Sequence, residues 1–94
     1  MADLPADDPF VVMASAHIDL ANSQAASHPR ELVAAAALHA AARYNAFTGS
    51  GLARTASELT ALRDELIDAQ VAQFRDALAH HYQGYIAELD AKVD

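Results

Sequence analysis

The chain has 94 residues, thirteen of them acidic and six basic, for a net charge of -7. That length gives room for one domain with a thin core, and that charge repels phosphate backbones and anionic lipid, which argues against nucleic acid and membranes as partners. Cysteine is absent, which removes disulfides, thiolate metal ligands and cysteine nucleophiles together and leaves self-association as the source of added stability.

Residues 1 to 8 carry acids and proline with little to bury and read as a disordered tail. The segment lacks the basic start and apolar run of a secretory signal. No stretch approaches the roughly 20 apolar residues that span a bilayer, so a cytoplasmic location is expected. Asp8 followed by Pro9 is a helix start: a capping acceptor, then a ring whose missing N–H costs nothing at the first helical position. Helix 1 is expected over 9–27. Phe10, Met13, Ala14, His17, Leu20, Ala21 and Gln24 share one face at about 100° per residue, with Val11 and Ile18 on its flank.

His28-Pro29 repeats the punctuation, and so short a connection makes the first two helices antiparallel neighbours. Helix 2 is expected over 29–48. Its stretch from Ala34 to Phe47 is more than half alanine, the best helix former, and its small surface lets neighbours approach closely. Val33, Ala37, Ala40, Tyr44 and Phe47 form one face and His39 and Arg43 lie on another. Thr48, Gly49, Ser50 and Gly51 are expected to stop the helix, with a loop over 49–54.

Thr55-Ala56-Ser57-Glu58 matches the capping box and opens a third helix expected over 55–90. Its apolar residues recur at Leu59, Leu62, Leu66, Ile67, Val71, Phe74, Leu78, Tyr85 and Leu89 with no proline to interrupt them; Gly84 is the one place where a bend or an early end is expected. At about 1.5 Å per residue the first two helices are each roughly 30 Å long and the third about 50 Å. The third therefore overshoots a hairpin of the other two and carries Phe74, Leu78, His81, Tyr82, Tyr85, Ile86 and Leu89 beyond it. A soluble monomer rarely leaves such a patch in water, so these seven residues form the candidate oligomer interface, in a two-fold dimer that pairs the patch with its equivalent. Arg63, Gln70, Ala77 and Gly84 recur every seven residues beside this face and read two ways, as the polar edge of a coiled-coil-like seam or as solvated residues.

Two stretches, Ala16-His17-Ile18-Asp19-Leu20-Ala21-Asn22 and Ala40-Ala41-Ala42-Arg43-Tyr44-Asn45-Ala46-Phe47, together with the chain length and the acidic third helix, resemble domain-of-unknown-function family 3144, a family of small bacterial proteins. The likeness covers about half the chain. It implies an all-helical fold in bacteria and no assigned activity, and it supplies no catalytic residue.

Asp19, Asn22, His39, Arg43 and Asn45 are the candidate polar group, either a buried set that fixes helix register or a ligand or anion pocket. Counted from the turn at residue 28, Asp19 and His39 are nearly level. A carboxylate holding an imidazole is half of a nucleophilic triad, but no cysteine or strained serine elbow accompanies it. The histidines lack the H-E-x-x-H and Glu-x-x-His spacings of metal sites, and Asp76 with His80 offers two ligands where a structural zinc needs four. No cofactor or metal is expected. Gly49-Ser50-Gly51 with Arg54 lacks the lysine and the preceding strand of a phosphate loop.

The fold expected is all-α, an antiparallel hairpin closed by a long third helix in a helical-bundle homo-oligomer. The function expected is that of a non-enzymatic oligomerising or protein-interaction module; a small-molecule or metal-binding protein with a polar site between the first two helices is the alternative.

Overall fold

A computed structural model of the chain describes residues 4–92 and contains three helices, α1 (Pro9–Ala25), α2 (Arg30–Ser50) and α3 (Ala56–Ala91). The described residues include no strand, so the fold is all-α. The chain divides into two compact units, Met1–Tyr44 and Asn45–Asp94, so that most of α2 belongs to the first unit and its last turns to the second.

Each helix begins where its side chains can satisfy the first orphan N–H groups. Before α1, the Asp8 N–H donates to the Pro5 carbonyl at 3.0 Å, and the Asp8 carboxylate accepts from the Phe10 N–H at 2.9 Å. Residues 4–8 of the expected tail thus end in a turn, while residues 1–3 lie outside the described residues. The end of α1 comes two residues earlier than expected, at Ala25. Ala26 and Ser27 instead donate to Ser23 and Gln24, the tighter i to i−3 pattern common at helix ends. At α2 the Pro29 carbonyl accepts from both Leu32 and Val33, which makes Pro29 the cap rather than the first helical residue.

At α3 the capping box is present with one difference. Thr55 Oγ1 accepts from the Glu58 N–H at 3.1 Å, but Glu58 reaches past the cap residue and accepts from the Arg54 N–H at 2.7 Å. The carboxylate therefore also ties down the loop that precedes the helix, at the positive end of its dipole.

Within the first unit, Val33 is 7% exposed and is the only apolar side chain among the described residues to reach full burial. Val11, Ala21 and Ala25 of α1 are half-buried. Of the face expected to form the core of α1, the large side chains are not covered: Phe10, Met13 and Leu20 are all more than half exposed. The same holds for Tyr44 on α2, at 70%. Helical periodicity identified these faces as apolar, and the chain alone does not cover them.

Within the second unit, α2 continues through Gly49 and Ser50, where a stop was expected. The Ser50 hydroxyl donates to the Phe47 carbonyl at 2.6 Å. Gly49 is buried, and a methyl group there would sit 3.3 Å from Leu66 Cδ1, so this glycine serves close approach of two helices rather than a loop. Leu59, Leu62, Leu66 and Gln70 are the half-buried face of α3, and Gln70 Nε2 donates to the Asn45 carbonyl at 3.3 Å.

The 36 residues of α3 run without a break through Gly84, at about 54 Å. Nothing lies within 4 Å of where a Gly84 side chain would begin. Gly84→Ala is therefore expected to stabilise the protein by about 1 kcal/mol through helix propensity and a less flexible unfolded chain. Thermal denaturation at fixed protein concentration measures this, and a fall in melting temperature would reveal a close contact at that site.

Candidate functional site

The polar group and the apolar patch are placed differently by the structure. Asp19, Asn22, His39 and Arg43 are all exposed. Among the described residues, neither the Asp19 nor the His39 side chain takes part in a hydrogen bond or an ion pair. The polar set is therefore not buried in the single chain. Contact between α1 and α2 runs instead along small and β-branched residues: Ala21, Ala25, Val33 and Ala37, with Asn22 and Arg30 at the margin, line one shallow hollow of about 220 Å³. Asn45 lies in the second unit, where its backbone oxygen receives the Gln70 amide. Because His39 is exposed, His39→Ala is expected to change stability by no more than about 0.5 kcal/mol. A thermal melt checks this; a ligand-dependent rise in melting temperature that disappears in the variant would instead establish a binding role for the imidazole.

No group of three or more His, Asp or Glu side chains close enough to hold a metal ion occurs among the described residues. His80 and His81 meet edge to face, with ring centres 5.2 Å apart. One ion pair is present among the described residues, Arg63 Nε to Asp64 Oδ1 at 3.1 Å, with both side chains well exposed.

The apolar patch, by contrast, is extensive. Phe74, Leu78, Tyr82, Tyr85, Ile86 and Leu89 are between 40% and 64% exposed, and His81 between them is exposed as well. Ile67 and Val71, which sequence reasoning left out of the candidate interface, are 49% and 59% exposed and extend the patch toward the start of the helix. Taken together, Ile67, Val71, Phe74, Leu78, His81 and Tyr85 are spaced alternately four and three apart. That spacing places them on one line along the helix, the heptad geometry of a coiled-coil seam, and it was readable in the sequence. At about 100° per residue, this line lies roughly a quarter turn from the half-buried Leu59, Leu62, Leu66 and Gln70 face. The two faces of α3 are thus distinct: one is used within the second unit, and the other is open.

Beside the open face, Gly49 and Ser50 of α2 and Leu59, Thr60, Arg63 and Ile67 of α3 contribute to a mainly apolar hollow of about 430 Å³. None of the helices is long and apolar enough to cross a membrane among the described residues.

Residues 10–86 match the model of a family described as "Protein of unknown function (DUF3144)". Comparison with curated proteins and with solved structures finds no match.

Proposed function

The chain belongs to the DUF3144 family, and from that premise we propose that it is a non-enzymatic helical module whose role depends on self-association, as a homodimer joined through α3. We read it as a cytoplasmic bacterial protein in which α1 and α2 form an antiparallel hairpin. The observation that carries this reading is the imbalance of burial. One apolar side chain is fully buried among the described residues, while nineteen large apolar side chains are exposed. Fully burying a side chain such as Val33 contributes about 1.5–3 kcal/mol, whereas fixing the backbone costs about 1–2 kcal/mol for every residue. A stable interface takes about 800 Å² from each partner. Sedimentation velocity or light scattering on the purified chain at micromolar concentration tests the reading. A dimer is expected, and a stable, well-folded monomer would overturn it.

A further inference from the structure

Resting on the self-association reading, we propose that the open seam of α3 pairs with the same seam of a second copy in antiparallel orientation, about a two-fold axis that passes between Ala72 and Gln73. The heptad places Val71, Leu78 and Tyr85 at one core position and Ile67, Phe74 and His81 at the other. Antiparallel helices set one kind of core position against the other. With the axis at this point, Val71 meets the partner's Phe74 and Leu78 meets the partner's Ile67, each pair occurring twice by symmetry. The result is four consecutive apolar layers built from residues that are all at least 40% exposed in the single chain.

Charge selects this register. One layer beyond the apolar set, Asp64 meets the partner's His81, a carboxylate facing an imidazole. Asp64 already accepts from Arg63, and a carboxylate takes more than one donor. On the flank, Asp68 falls beside the partner's Arg75, and among the described residues neither has an ion-pair partner within the chain. Sliding the helices by one heptad sets Arg75 against the partner's Arg75. A parallel pair in register sets Asp64 against the partner's Asp64 and Glu88 against the partner's Glu88. Like charges directly opposed are destabilising, so the antiparallel register is the one in which every charged position has an opposite or neutral neighbour.

Shape agrees. On the other flank, Arg63 and Gln70 occupy the heptad position held by Ala77 and Gly84 further along, so two long side chains meet the partner's two small ones. This accounts for the seven-residue repeat of those four residues. The partner's His81 and Tyr85 come level with Arg63 and Thr60, beside the apolar hollow of about 430 Å³ that these residues help to line.

The experiment uses the full chain, whose lack of cysteine permits clean labelling. A spin label on Ala87→Cys, on the outer side of α3, is expected to give a label-to-label distance of about 45 Å in the dimer, because the two positions lie about 29 residues apart along the shared axis at 1.5 Å each. Asp68→Arg is expected to weaken dimerisation about tenfold by replacing two attractive pairs with repulsive ones. Adding Arg75→Asp in the same chain is expected to return the dissociation constant to within about threefold of the parent, since the swapped pairs attract again. A dimer whose label-to-label distance departs from about 45 Å by about 10 Å or more, as a slide of one heptad (about 33 or 54 Å) or a parallel pair would give, or one in which the second substitution fails to restore pairing, overturns the register and leaves self-association standing. A monomer at every concentration overturns both.

Discussion

The melting temperature is expected to rise by about 3–6 °C for every tenfold increase in protein concentration. For a dimer that folds as it assembles, a tenfold concentration change shifts the folding free energy by about 1.4 kcal/mol. A two-state unit of two such chains moves by about 2–4 °C per kcal/mol. The physical basis, on the proposed reading, is that one apolar side chain, Val33, reaches full burial among the described residues and that a second copy supplies the remaining apolar burial. Circular dichroism melts from about 1 to 100 μM check this. A transition that stays put across that range, in protein that remains folded, would mean that the single chain is stable with its apolar faces in water.

The second expected result concerns one side chain. Leu78→Asp should raise the dimer dissociation constant at least about a thousandfold, equivalent to about 4 kcal/mol. Leu78 keeps 40% of its surface exposed in the single chain and lies in the middle of the apolar line. The substitution removes an apolar contact and places a carboxylate where water is to be excluded, and two-fold symmetry counts both effects twice. Gln83→Asp is the matched control: it adds the same charge one and a half turns further along, on the opposite side of the helix, and is expected to leave the dissociation constant within about threefold. Equal loss from both variants would show that added negative charge alone, on a chain already at -7, drives the copies apart.

Local signals in the sequence were sufficient to find every helix. Asp8-Pro9 and the Thr55 capping box act through neighbours within a few residues, so their geometry is determined almost wholly by the chain near them. The positions that sequence reasoning placed differently are those decided by distant residues. Gly49 reads as a helix stop until Leu66 is known to lie against it. Phe10, Met13, Leu20, Tyr44 and Phe47 read as core because they share apolar faces, yet periodicity says only that a face avoids water and nothing about what covers it. The residues of the candidate interface, from Phe74 to Leu89, are exposed, while Ile67 and Val71 were left out because the length argument counted only the part of the third helix that overshoots the hairpin. The near-level spacing of Asp19 and His39 gave their height along the helices but not the direction in which each side chain points.

Gly49 and Leu66 occupy one fixed volume in the second unit, which links two distant codons. An alanine at position 49 leaves Leu66 with a few tenths of an ångström to give up, and a bulkier residue there requires a smaller one at 66. Drift at either site is thereby conditioned on the other: a lineage that enlarges the first keeps its helix junction only by trimming the second, and the two changes are expected to be inherited as a pair.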